Sequence, residues 1–164
     1  MKKYFKILLV FAGLILLLTG CGNKSLYSMK TDLSNEKGLE KLIGSMDWGP
    51  YKLEDYKVKN KSLEIKVSGE SDISKDESFK TTFINGVILL VLTDAEEVRY
   101  SEEKLYFGVI DRDLADEVLK IKYGKEVDDY KKSQEDFDNL VESLENEKFE
   151  AGVAHFEMME WRLF

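Results

Sequence analysis

Cysteine, proline and histidine each occur once in this 164-residue chain, and each scarcity removes a class of protein. A lone thiol makes no internal disulfide, so a fold stapled by several bridges is out. A catalytic zinc usually takes three protein ligands from His, Cys and carboxylates. With only Cys21 and His155 to draw on, no metal and no cofactor is expected. His155 lies between Ala154 and Phe156, and no nucleophile-elbow motif offers it a serine. It reads as a partly buried or edge histidine, and no residue is assigned as catalytic. Basic residues are in deficit too: 24 Lys and Arg face 32 Asp and Glu, a net charge of −8. That argues against nucleic acid, whose phosphates need basic clusters, and against a surface lying flat on anionic lipid. No internal repeat is visible. A membrane-spanning helix needs roughly 20 apolar residues, and the apolar run Ile7 to Leu18 is shorter and broken at Gly13.

That run carries the most specific signal in the chain. Lys2, Lys3 and Lys6 precede it, and no acid appears before Asp32. A positive end followed by a short apolar segment is the layout of a secretory signal. Leu18-Thr19-Gly20-Cys21 then has the form of a bacterial lipobox, whose small residues admit the signal peptidase. The cysteine thiol there receives a diacylglycerol. One acyl chain anchors a protein only marginally, at about 0.8 kcal/mol per buried methylene, whereas two hold it stably. The expectation is a signal peptide over 1–20, a short polar tether over 21–31, and a globular domain over 32–146. A Phe-, Met- and Trp-rich segment, 147–164, ends the chain. The partner is then the membrane itself, through Cys21, on the outer face of the cytoplasmic membrane, with a membrane protein as a further candidate.

Within the domain, Leu39, Leu42, Ile43 and Met46 have helical spacing, with Asp32 or Ser34 as cap. Gly49-Pro50 turns the chain. Leu63, Ile65 and Val67 alternate with Glu64 and Lys66, so "YKLEDYKVKN" and "SLEIKVSGE" predict two half-buried strands joined at Asn60-Lys61. Phe79, Phe83, Val87 and Leu90 favour a mostly buried helix, capped near Asp76 or Ser78, over a central strand from Val87 to Leu92. "EVRYSEEKLYFGVI" predicts a hairpin turning near Glu102-Glu103. "DRDLADEVLKIKYG" predicts a helix ending at Gly124, and Ser133 with Asp136 a capping box before another helix. Strand pairs interleaved with helices, without βαβ regularity, define an α+β class: an antiparallel sheet of about four strands packed by three or four helices.

Two sets of side chains are candidates for recognition or chemistry. Trp48 and Tyr51 flank the Gly-Pro turn and Trp161 and Phe164 lie near the end, so these aromatics are candidates for a binding surface, with core packing as the alternative. The tail that holds the last two reads equally as a final strand or helix or as a contact surface. Asp111, Asp113, Asp116 and Glu117 cluster in "DRDLADE", with Asp128-Asp129 further on, but EF-hand spacing is absent. Acids in the first turn of a helix, favoured by its dipole, account for the cluster. Asp94, Glu96 and Glu97 read as a helix end and a solvated turn. A paired-carboxylate hydrolase remains the enzymatic alternative.

From about Leu39 to Leu144 the element order resembles the bacterial family known as domain of unknown function 4825. The resemblance rests on "FINGVILLVLTDAEEVRY" and "YGKEVDDYKKSQEDFDNLVESL". Family members tend to begin the apolar helix with Asn-Ala and follow it with Asp-Asn; here Asn85-Gly86 and Asp94-Ala95 stand there. The resemblance implies a small secreted or lipid-anchored protein of Gram-positive bacteria. The same domain also occurs attached to membrane metalloproteases similar to beta-lactam sensors, which implies sensing outside the cell. The function expected is a lipid-anchored extracytoplasmic binding, sensor or accessory domain, the alternatives being the hydrolase and a structural subunit of a membrane complex.

Overall fold

The computed structural model of the protein describes residues 25–69, 75–102 and 105–147. After a short 3-10 helix, Leu26–Met29, the elements run α1 (Glu36–Gly44), β1 (Tyr51–Lys59), β2 (Ser62–Gly69), α2 (Lys75–Leu92), β3 (Glu97–Glu102) and β4 (Leu105–Asp111). Three helices follow: α3 (Arg112–Tyr123), α4 (Val127–Tyr130) and α5 (Gln134–Asn146).

The fold is organised around α2. A helix that is apolar on every side must be covered on every side. Val87, Leu89, Leu90, Val91 and Leu92 are fully buried. The sheet covers one flank with Leu63, Ile65 and Val67 of β2, Val98 and Tyr100 of β3, and Ile110 of β4. The other helices add Leu39, Leu42 and Ile43 from α1, Leu119 from α3, Val127 from α4, and Phe137, Leu140 and Leu144 from α5. The alternate residues of β2 and β3, among them Glu64, Lys66, Glu97 and Arg99, are not buried and form the polar face of the sheet.

The α+β class and the four strands are as expected, and so is the helix over the apolar run. The pairing differs. Strand order is β1-β2-β3-β4, with β1/β2 and β3/β4 antiparallel but β2 and β3 parallel, Ser62 opposite Glu97 and Val67 opposite Glu102. The sheet is therefore mixed, two hairpins joined side by side. The cause is α2: at 18 residues it is about 27 Å long and returns the chain to the end of the sheet where β2 began. A half-buried strand alternates in the same way whichever direction its neighbour runs, so periodicity does not reveal this.

Five α-helices occur among the described residues rather than three or four, the additional one being the four-residue α4. Asn35, not Asp32 or Ser34, caps α1 by accepting from the Gly38 N–H at 3.1 Å. Ser78 lies inside α2 rather than at its start. Asp111 caps α3, Gly124 ends it with a φ of 73°, and Ser133 caps α5, accepting from the Asp136 N–H at 3.0 Å. Asn60, at the β1–β2 turn, has a φ of 57°, which asparagine tolerates better than most residues.

The part of the expected tether from Ser25 onward belongs to the fold. The Tyr27 ring packs at 5.8 Å on Phe137 and its hydroxyl donates to the Lys131 carbonyl at 2.8 Å. The Thr31 N–H donates to the Leu92 carbonyl at 2.9 Å. The edge strand β1 carries Lys52, Lys57 and Lys59 and a register shift between Leu53 and Asp55, both devices that discourage pairing with a further strand.

Gly86 marks where α2 comes closest to the sheet. A Cβ there would stand 2.8 Å from Cγ1 of Ile110 and 3.0 Å from its Cβ. Gly86→Ala gains about 1 kcal/mol of helix propensity, but it drives a methyl into branched atoms close to the β4 backbone. The clash dominates. Urea unfolding is expected to show Gly86→Ala less stable by about 1–3 kcal/mol; a more stable variant would mean that α2 and β4 can separate freely.

Candidate functional site

The densest polar constellation among the described residues surrounds the C-terminal end of α2. The last four carbonyls of a helix lack intrahelical partners and carry the negative end of its dipole. Here the chain brings donors from separate segments to the helix end and to Thr93–Ala95 just beyond it. The Thr93 hydroxyl donates to the Leu89 carbonyl at 2.7 Å and accepts from the Ala95 N–H at 3.1 Å. Arg112 places Nη2 3.2 Å from the Leu90 carbonyl and 2.9 Å from that of Ala95, while Nη1 meets Asp128 at 2.9 Å. Lys131 donates to the Thr93 carbonyl at 3.0 Å and lies 3.2 Å from Asp128. Lys61 reaches the Asp94 carboxylate at 2.6 Å, and that carboxylate also accepts from the Leu33 N–H at 2.7 Å.

The charges in this clamp satisfy one another. The Leu33 N–H first, and then Lys61, hold the Asp94 carboxyl below its usual range. Burial pushes Asp128 up, but Lys131 and Arg112 outweigh it and the net direction is down. Burial and the Arg112 charge lower Lys131, against the pull of Asp128. Its cations are already directed at carbonyls and carboxylates of the fold. Chemically it is a fastener.

Of the aromatic candidates, Trp48 and Tyr51 lie among the described residues. Trp48 is 9% exposed and part of the core, and its indole N–H donates to the Ile43 carbonyl at 3.1 Å. Tyr51 is half-buried and donates its hydroxyl to Ser78 Oγ. Trp161, Phe164 and His155 lie outside the described residues, as do Cys21 and its lipobox partners Leu18, Thr19 and Gly20.

The carboxylates are dispersed into separate structural tasks. Asp111 caps α3, accepting from the Leu114 N–H at 2.8 Å, and Asp116 accepts from the Val127 N–H at 2.7 Å. Asp129 caps α4 reciprocally with Glu126 and pairs with Lys132 at 2.7 Å. Glu97 pairs with Arg99 at 2.9 Å. Among the described residues no three of His, Cys, Asp and Glu come together as a metal site would require. Every described carboxyl with a displaced pKa, including Glu54, Asp94, Glu97, Asp136 and Glu147, is displaced downward.

The residue that sequence reasoning missed is Arg112. Its signal is visible in retrospect: an arginine in the first turn of a helix sits at the wrong end of that helix's own dipole. A cation placed there serves another element, here α2. Comparison with known proteins adds nothing to the geometry: no protein-family model, no curated protein and no solved structure matches the chain.

Two substitutions test the clamp. A lysine at 112 has one ammonium in place of a fork and cannot span both carbonyls and Asp128. Arg112→Lys is expected to cost about 1–3 kcal/mol in urea unfolding, the range for a buried carbonyl left unpaired; unchanged stability would show the fork to be dispensable. Asp94 has a folded pKa below its unfolded one. Its contribution is therefore present above about pH 4 and lost as pH falls through the folded value. Asp94→Asn should be less stable than the parent by about 1 kcal/mol at neutral pH, with the difference narrowing in urea titrations as pH falls below about 4. A difference that does not change with pH would show that the carboxylate charge is irrelevant.

Proposed function

We propose that the chain is a lipoprotein of the outer face of the cytoplasmic membrane, whose folded part is a binding or accessory domain for a membrane protein. The observation that carries this reading is Leu18-Thr19-Gly20-Cys21, placed directly after a lysine-flanked apolar run and containing the chain's one cysteine. The lipid holds the protein down, since its net charge of −8 gives it no affinity for anionic headgroups. The resemblance of the sequence to the extracytoplasmic family of unknown function 4825, which no family model matches here, would add a role in sensing outside the cell.

The binding role is preferred to the carboxylate hydrolase for a physical reason. A carboxylic acid that works as a general acid needs its pKa raised by burial or a like charge. The displaced carboxyls described above are lowered by cations, N–H donors or, for Glu54, first by the Ser68 hydroxyl, and each is committed to a cap or an ion pair.

The test is metabolic labelling with an alkyne fatty acid. The wild-type protein should take up the label and fractionate with membranes. Cys21→Ser should lose both properties, and crosslinking in intact cells should capture an integral membrane protein. A wild-type protein that stays unlabelled would overturn the anchoring.

A further inference from the structure

Few residues separate the proposed lipid from Ser25, the first described residue, and this limits how the domain can face the membrane. Only Gly22, Asn23 and Lys24 separate Cys21 from Ser25. Ser25 is already tied down: its hydroxyl donates to Asp138 of α5 at 3.0 Å, and its carbonyl accepts from the Ser28 N–H at 2.9 Å. Tyr27 and Lys30 both donate to the Lys131 carbonyl, at 2.8 and 3.1 Å, and Thr31 is bonded to the end of α2. The N-terminal segment is thus seated at one end of the domain, where α2 finishes and α4 passes into α5.

From Cys21 to Ser25 the chain extends at most about 14 Å, four residues at roughly 3.3–3.6 Å each. The domain is longer than that. Tyr51 pairs with Gly69 at the far end of β2 and bonds to Ser78 near the start of α2. From Ser78 to Leu92 the helix rises about 21 Å, and β2 from Ser62 to Gly69 spans about 23 Å. A sulfur carrying acyl chains in the hydrocarbon cannot be reached from Ser25 while the far end of the domain faces the lipid.

We propose that the end of the domain bearing the 3-10 helix and the α4–α5 junction, with Lys30, Lys131 and Lys132, lies against the lipid headgroups. The start of β1 and the end of β3 then face away from the membrane. This rests on the lipoprotein reading, and the committed partner of this face is the bilayer surface. Two exposed lysines mark the two ends: the side chain of Lys132 is 70% exposed beside the docked N-terminal segment, and that of Lys52 is 79% exposed at the far end.

Lys132→Cys and Lys52→Cys would each add the sole free thiol if Cys21 is acylated. The lipidated proteins, purified from membranes, would carry a short-range fluorescent donor and be reconstituted into phosphatidylglycerol–phosphatidylcholine vesicles with a headgroup-linked acceptor. Energy transfer at 132 is expected to exceed that at 52 by at least about twofold, since the positions differ by roughly 20 Å along the long axis. Ten Gly/Ser residues inserted between Asn23 and Lys24 should erase most of the difference. Equal or reversed transfer in a native-length, fatty-acid-labelled protein would overturn the orientation while leaving the anchor in place. A wild-type protein without fatty-acid label would overturn the anchor and the orientation together.

Discussion

A helix whose second half has no polar face imposes the central constraint on this protein: that half of α2 has to be enclosed, and the carbonyls at its end have to find donors. Enclosure is the easier requirement. Each fully buried leucine or valine contributes about 1.5–3 kcal/mol, and residues from the sheet and four other helices are available to supply the contacts. The carbonyl end is harder, because each buried acceptor left unpaired costs about 1–3 kcal/mol. Donors arrive there from Thr31, Thr93, Arg112 and Lys131, so the exit of α2 is where chain segments far apart in sequence are held in register. The charged residues that look superfluous in the sequence are spent on that one end.

This constraint explains the stretch "FINGVILLVLTDAEEVRY" almost residue by residue. Asn85 is buried and donates to the Asp47 carbonyl at 2.8 Å, fixing the loop before β1. Gly86 lets the helix approach Ile110. Thr93 and Asp94 close the helix and fasten it to Leu33 and Lys61, and Ala95 is fully buried beside Arg112. A pattern of this kind specifies a fold without specifying a ligand. The residues of this stretch are therefore silent about binding.

The same distinction accounts for what could be read from the sequence. Elements whose identity depends on local chemistry were legible: the alternation of Leu63, Ile65 and Val67, the Ser133 cap, and the Gly124 stop. What depends on distance in space was not. The parallel pairing of β2 with β3 follows from where α2 delivers the chain, and nothing in either strand encodes it. Trp48 beside a Gly-Pro turn has the local look of a recognition aromatic, but its neighbour in space is the Ile43 carbonyl, five residues back and around the end of α1. Lys131 and Arg112 read as ordinary surface charges because their partners are 38 and 17–22 residues away. The tether read as polar linker because Ser25, Ser28 and Lys30 are polar, although Tyr27 between them packs on Phe137.

Under the proposed anchoring, an acidic domain is held close to a negatively charged surface, and the magnitudes decide whether this is tolerable. Two acyl chains of roughly 15 methylenes contribute on the order of 20 kcal/mol of insertion at about 0.8 kcal/mol per methylene. An unpaired charge near an anionic leaflet is worth only about 1 kcal/mol. The end nearest the lipid is also the end where acids are neutralised: Asp94 by Lys61, Asp128 by Arg112 and Lys131, and Asp129 by Lys132. The ion pairs that hold the α2 exit together thus offset part of the local repulsion, to which Asp32 and Glu96 beside Lys61 still contribute. A clamp required by the burial of one helix also places cations on the side that carries Ser25 and Tyr27.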